Sequence, residues 1–435
     1  MDKQPSNDID EFFSSDRVRA RGESVTLPPA SYSDYLYDLN DPVLAPYRGM
    51  DYETFTEDRK QAQFLLDLLD YWNSLMDEPF VGITSDGVVL PELYPLEPVA
   101  TRDDSSVVAA TDLLSHLDDK RRATVSYPMD SPQWRAWSNP EFVFHRNGLR
   151  LEDQDEATVA AIMNVVRAST SAQGYERACE AMALNGFLGE LVDLPQIMND
   201  RSYWFSIFGT PHATEPWGWQ LFGHHLAVNF VSVGGRHVFA PVFIGAEPAL
   251  SDGARPPLFD ARENVALDLA SSLSDSQRSD AIVFASVLDP AMPEGRLHPA
   301  DERHVAGAFR DNRVVPYEGI RATELDEVQR EKLCWLVEDF HMLLTDSQRQ
   351  ATMKHFRDHL DETWFSWYGA TDGSEPFYFR IQSPVILAEL DHHAGVWLSN
   401  RLPARFHVHT TLRLPNGNDY GKAFLAEWLG RTPAS

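Results

Sequence analysis

The sequence predicts an α+β protein: a helical N-terminal half packed on a mixed or antiparallel sheet formed mainly by the C-terminal half. Three observations predict it. Apolar residues recur at helical spacing in several segments between residues 55 and 192. From Tyr203 the pattern changes to extended runs, and the pair Gly234-Gly235 between two of them signals a hairpin. From Phe377 the chain returns to alternating runs. Helices first and in the middle, with strands grouped apart from them, are the grammar of an α+β fold rather than of repeated βαβ units.

Residues 1–48 are rich in Pro, Ser and Asp with scattered Tyr, and read as an irregular arm that wraps the body or is partly disordered. Residues 49–435 show no linker and read as a single catalytic-type domain, helix-rich over 49–200 and sheet-rich over 201–435. Within "TFTEDRKQAQFLLDLLDYWNSLMD", Phe64, Leu65, Leu68, Leu69 and Trp72 share one helix face. "SVVAATDLLSHLDD" predicts a second helix, and two long helices follow near 153–168 and 173–192. Between them lies a strand, then the loop "MDSPQWRAWSNP". Its Gln133, Trp134, Arg135, Trp137 and Asn139 suit either a binding wall or a packed Trp anchor. "YWFSIFG", "WGWQLFGHHLAVNFVSV" and "RHVFAPVFIG" predict strands, as do "FYFRIQ", "VILAEL", "GVWL" and "ARFHVHTTLRL". The segments "LSDSQRSDAIVFASVL" and "LTDSQRQATMKHFRDHL" share D-S-Q-R, and in each a Ser274 or Thr345 stands three residues before a Gln, the pattern of a capping box. Two such helix starts do not make a repeat array.

Composition excludes several functions. The chain has 435 residues and 43% hydrophobic content, enough for a sizeable core. A formal net charge of −29 repels phosphate backbones and anionic lipid, so neither nucleic acid nor membrane is an expected partner. An anionic substrate requires a local basic patch. Cys179 and Cys334 lie in apolar helical settings and predict buried thiols rather than a disulfide framework. The N-terminus has no basic and apolar leader and no run reaches membrane-spanning length, so the expected location is cytoplasmic. The dinucleotide, P-loop, H-E-x-x-H, G-x-S-x-G and paired C-x-x-C motifs are all missing. The sequence leaves the oligomeric state open.

The informative residues are histidines on alternating runs. Side chains on a strand alternate faces. Arg405, His407, His409, Thr411 and Arg413 fall on one side of their run, Glu389 and Asp391 on one side of theirs, and Tyr378, Arg380 and Gln382 on one side of "FYFRIQ". If these runs pair, their polar faces join. A solvated sheet face gives the same alternation, but such faces usually carry Lys, Glu, Thr and Ser, whereas this one has no Lys and is rich in His and Arg. Two imidazoles on one strand face can share a metal, and a carboxylate from the next strand completes a two-His-one-carboxylate set. In "FGHHLAVNF", strand alternation groups His224 with Phe222 and Leu226, and His225 with Trp217 and Trp219. At least one of the two is expected to face the cavity of His407 and His409; the competing reading for one of the pair is a buried, hydrogen-bonded core histidine. A competing set, His355, His359 and Glu362 at i, i+4 and i+7, reads better as a solvated charged helix face.

With "DSPQWRAWSN", "GWQLFGHHLAVNF", "PVFIGAEPA", "WFSWYG", "PFYFRIQSPVILAELD" and "HVHTTLRLPNGNDYG" in view, the chain resembles a bacterial family catalogued as domain of unknown function 3500. The likeness covers most of the chain after about residue 50. It rests on Gly223 to Leu226, Tyr378 to Glu389, His407 to Arg413 and Asn418 to Gly421, and departs at "LDHHAGVW" after Glu389, where relatives often carry a polar turn. The resemblance implies one integral domain and leaves the chemistry to the residues.

The resulting expectation is a metal-dependent enzyme acting on a small polar or carboxylate-bearing molecule by hydrolytic or lyase chemistry. His225, Glu389, His407 and His409 would hold a divalent ion, zinc or iron. His224, Asp391 and Arg413 would serve catalysis, with Asp391 orienting a ligand histidine. Trp217, Trp219, Tyr378 and Arg380 would bind substrate. The alternatives are a non-haem iron oxygenase with a two-His-one-carboxylate site and a metal-free small-molecule binding protein.

Overall fold

The computed structural model describes residues 31–38, 40–97, 104–250, 257–298 and 300–431. Of the N-terminal arm, residues 1–30 lie outside the described residues. The rest makes two 3-10 turns, Tyr32–Tyr35 and Ala45–Tyr47, with Tyr32 packed edge-on to Phe187 and Tyr35 against Phe406. The expected long helix after residue 52 is two helices, α1 (Tyr52–Arg59) and α2 (Gln63–Asp77). The polar run Glu57 to Gln61 offers no apolar position to continue the buried stripe, and the amides of Gln61 and Ala62 close tight turns onto Asp58 and Arg59.

The order then runs α3 (Ser105–His116), α4 (Asp119–Val125), β1 (Ser126–Tyr127), β2 (Leu149–Arg150), α5 (Glu156–Ser169) and α6 (Ala172–Leu191). Asp155 and Ser171 cap the last two by accepting from Thr158 N and Gly174 N. Four antiparallel strands follow: β3 (Tyr203–Gly209), β4 (Trp217–Gly223), β5 (Leu226–Val233) and β6 (Arg236–Ala246). Next come α7 (Asp260–Ser271), α8 (Asp275–Ala281), β7 (Ile282–Phe284), β8 (Ile320–Arg321), α9 (Glu327–Phe340) and α10 (Asp346–Asp358). A second set of four antiparallel strands is β9 (Trp364–Tyr368), β10 (Tyr378–Gln382), β11 (Leu387–His392) and β12 (Val408–Arg413), before α11 (Lys422–Arg431).

All twelve described strands join one mixed sheet, ordered β1-β3-β4-β5-β6-β12-β11-β10-β9-β7, with β2 on β3 and β8 on β9. This order reveals a duplication. Each half supplies two helices, an edge strand parallel to a central strand, a short antiparallel strand, two helices and a four-strand meander, and the meanders meet antiparallel at β6 and β12. Sequence follows: "WFSIFG" at 204–209 matches "WFSWYG" at 364–369, and "EPWGWQL" at 215–221 matches "EPFYFRI" at 375–381. Gly209 and Gly369 both take positive φ and pack on Trp217 and Phe377, while Gly148 and Gly319 press equivalently on Phe205 and Phe365. The shared D-S-Q-R is a different echo, because it joins α8 to α10, which are not counterparts. Its capping box closes at Ser274. Thr345 makes no cap bond, and Gln348 instead donates to Gly235 O and accepts from His237 N.

The two sheet faces differ. Helices cover the apolar one, where Trp219 Nε1 donates to Ser169 Oγ and Phe379 meets Phe340. Two long loops, 128–148 and 285–319, cover the other. The residues "GVWL" make no strand: the amides of Val396, Trp397 and Leu398 converge on the buried carboxylate of Glu247 instead of on a neighbouring strand. Cys179 and Cys334 are free and half-buried. Among the described residues, no helix is long and apolar enough to cross a membrane.

Candidate metal centre

The register of β10, β11 and β12 sets Arg380 opposite Glu389, Tyr378 opposite Asp391, Asp391 opposite His409 and Glu389 opposite Thr411. Their polar side chains therefore share the loop-covered face. That face is not wet: His407 is 1% and His409 5% exposed. The H-x-H motif straddles the strand start, since β12 begins at Val408 and the His407 amide closes a turn onto Ala404.

The "GHH" segment is where the strand reading of the sequence departs most from the structure. Gly223 pairs with Leu226, so His224 and His225 are the two turn residues of the β4–β5 hairpin, and His225 takes a φ of 61°. A non-glycine residue in this left-handed region is uncommon and strained. Here the turn amide is held from outside, as Asn139 Oδ1 accepts from His225 N at 3.0 Å. A turn breaks the alternation, so His225 does not share a side with Trp217 and Trp219. Both Trp rings sit on the helix-covered face, buried among Phe205, Phe230 and Phe239, and line no part of the cleft.

The hairpin turn brings His225 to His407 and His409. One nitrogen from each lies within 4.8 Å of the other two. His407 Nδ1 donates to Ala394 O at 2.7 Å, which turns the Nε2 lone pair inward, 3.0 Å from His409 Nε2. Two nitrogens bonded to one tetrahedral ion at about 2.05 Å lie roughly 3.3 Å apart, so the pair is spaced for a shared ion. Burial first, and the neighbouring imidazoles second, hold His225 and His409 well below the ordinary histidine value, and burial pushes His224 down to about 3. Neutral imidazoles are the ligand form. His224 stacks on His225 with centroids 3.9 Å apart, and its Nδ1 meets Asn185 Oδ1 at 2.8 Å.

Glu389 does not join the three histidines. Its oxygens accept from Val305 N, Ala306 N and the Tyr378 hydroxyl, at 2.9, 3.0 and 2.6 Å. Arg413 is also committed elsewhere. It is fully buried, pairs with Asp311 at 2.8 Å and Asp419 at 3.2 Å, and donates to Ala306 O and Gly307 O. Arg135 takes the other oxygen of Asp311 at 2.7 Å, so this network ties the two covering loops to β12. Arg380 pairs with Glu318 at 3.1 Å. Neither arginine, nor Tyr378, lines the cleft. Asp391 pairs with Arg303 at 2.6 Å and its second oxygen lies 3.1 Å from His393 Nε2.

A cleft opens onto His224, His225, His393, His407 and His409 beneath α1, α2 and the loop after Trp137. Its other wall carries Arg59, Leu68, Trp72, Asn139 and Glu141. It gives about 80 Å³ to water-sized molecules; one water needs roughly 10–15 Å³, so the space admits an ion, its waters and a small ligand. Glu141 is 5% exposed, its Oε1 is buried with no hydrogen-bond partner among the described residues, and burial, opposed by Arg59, raises its carboxyl. Glu141, Arg59, His304 and His393 are absent from the sequence-based set. For His393 a signal existed, since Asp391 and His393 alternate as His407 and His409 do. Nothing in the sequence marks His304.

The competing helical set does not assemble. α10 ends at Asp358, His359 Nδ1 bonds Glu362 at 2.9 Å, and His355 is half-buried beside Tyr94 rather than solvated, with burial holding it down to about 4.

A family model described as Protein of unknown function (DUF3500) matches residues 100–422. The chain belongs to this family. The DUF3500 match runs from just before α3 to the start of α11, so both halves of the duplication and every histidine of the centre lie inside it. No curated protein and no solved structure matches the chain.

Proposed function

We propose that this protein is a metal-dependent enzyme that acts on a small polar or carboxylate-bearing molecule, by hydrolytic or lyase chemistry. The observation that carries the reading is the convergence of three buried imidazoles, His225, His407 and His409, beside a small cleft. Three histidines with an open fourth position are a donor set for catalytic zinc, which supplies a Lewis acid and lowers the pKa of its water. The rest falls to the chain's own side chains. Ala394 O and the Asn139-held turn fix two of the ligands. Glu141, a buried carboxylate with a raised pKa on the opposite wall, is placed to take a proton from water or substrate. Arg59 replaces Arg413 and Arg380 as the cation at the cleft that can meet a substrate carboxylate, against a chain of net charge −29. Trp72, Phe64 and Leu68 supply the apolar wall.

Protein purified without a histidine tag and assayed for metal, then for hydrolysis of small carboxylate-bearing esters, amides and lactones, tests the reading. The expected result is bound divalent metal, turnover that chelation abolishes and re-addition restores, and, in His407→Ala, loss of turnover and of the ion held by the three histidines. Protein that takes up no metal on addition of zinc, iron(II) or manganese would overturn it.

A further inference from the structure

We infer that His304, His393 and Asp391 form a second cation site, so that the protein holds two divalent first-row transition-metal ions side by side. The inference rests on the metal reading of the first set. Its own evidence is separate. One ligand atom from each of the three lies within 4.8 Å of the other two, and all three residues are buried. His304 Nδ1 is engaged by Thr411 Oγ1 at 3.0 Å, which leaves Nε2 for another partner, and none stands among the described residues. His393 Nε2 stands 3.1 Å from Asp391 Oδ2 without making a hydrogen bond to it. A buried nitrogen without a hydrogen-bond partner is unfavourable, and among the described residues the set contains two. Nitrogen and oxygen ligands at about 2.0–2.2 Å from one tetrahedral ion sit roughly 3.3–3.5 Å apart, close to the 3.1 Å between His393 Nε2 and Asp391 Oδ2.

Charge points the same way. Three carboxylates face the imidazoles: Asp391, Glu302 at 3.7 Å from His393 Nδ1, and Glu247 at 3.9 Å from His407 Nδ1. Arg303 contacts two of them, Asp391 Oδ1 and Glu302. Arg303 Nε donates to Oδ1 and the Arg303 backbone N–H to Oδ2 at 3.1 Å, which leaves the second lone pair of Oδ2 toward His393, as outer partners of a ligating carboxylate do. Buried negative charge of this kind is usually paired or metal-bound. The two sets abut, with the His393 ring 3.8 Å from that of His409 and 5.5 Å from that of His407. The second set, two imidazoles and one carboxylate, is harder than the first and suits zinc, manganese or iron(II).

The test is metal stoichiometry on the full chain, loaded with zinc, and separately with manganese and anaerobic iron(II), then dialysed. The expected result is about two ions per chain in the parent, about one in His304→Ala, and about one in His225→Ala. His304→Gln, which keeps a polar partner for Thr411, guards against a folding defect and is expected to match His304→Ala, with an unchanged thermal midpoint in the apo form. One ion per chain in the parent, lost in His225→Ala and retained in His304→Gln, overturns the second site and leaves the proposed function standing. No bound ion overturns both.

Discussion

Gly245 shows how finely single residues set the centre. It sits on β6 opposite His409, and a Cβ there would lie 2.8 Å from His409 Cδ2 and 3.0 Å from His225 Cδ2. The absent side chain is what lets two imidazoles pack face-inward. Gly245→Ala should therefore cost about 1–3 kcal/mol by overpacking and, more tellingly, displace both rings. The expected outcome is metal occupancy well below the parent at a stoichiometric metal concentration, while circular dichroism reports a retained fold. Unchanged occupancy would show that neither ring needs its present place. Arg413 behaves in the opposite way. It shares Asp311 and Asp419 in a fully buried network, and loss of one partner from such a network costs about 3–5 kcal/mol. Arg413→Leu should lower the denaturation midpoint by that much. If stability holds while substrate KM rises, Arg413 binds substrate after all.

At the scale of elements, the legible parts were those whose period stays uniform. The alternation of "FYFRIQ", "VILAEL" and "HVHTTLRL" foretold which side chains share a face, because pairing on one sheet preserves parity. Parity fails at turns, and the two turn positions, His224 and His225, hold neither the Gly nor the Asn that announces one, so the hairpin there was hidden and Trp217 and Trp219 were grouped with the wrong neighbours. Glu389 was placed on the right face, yet the amides of Val305 and Ala306, from a loop with no sequence signature, claim its carboxylate. The end of α9 offers a pH test. His341 follows that helix, and burial holds it at about 4 against an ordinary 6.5. It lines a cavity with Arg236, His237 and His355. The unfolded chain binds more protons than the folded one between those values, so the neutral form's contribution is present above pH 6.5 and is lost as pH falls toward 4. The gap is worth roughly 3 kcal/mol. His341→Gln should flatten this loss, read as the difference in denaturation midpoint between pH 7 and pH 4.5. Equal slopes in parent and variant would show that His341 is not held neutral.

At the scale of the whole molecule, the centre is a product of the duplication. The two meanders meet at β6 and β12, and the ligands come from both sides of that joint: His225 from the first half, His407 and His409 from the second. The halves are equipped unequally. The turn that carries His224 and His225 corresponds to Pro384 and Val385, and Gln220 and Asn229, bonded at 2.6 Å, stand where the second half has Arg380 and Glu389. One scaffold has thus been furnished differently in its two halves. The sequence carried the duplication in "WFSIFG" and "WFSWYG", but the more conspicuous D-S-Q-R echo pointed to helices that are not counterparts. Whether the hairpin turn and the H-x-H strand together hold an ion can be seen by diffraction from crystals of zinc-loaded protein, with data on both sides of the zinc absorption edge. The expected result is an anomalous peak at about 2.0–2.1 Å from a nitrogen of each of His225, His407 and His409. A loaded crystal with no peak there, or with its peak at His355 and His359, would contradict it.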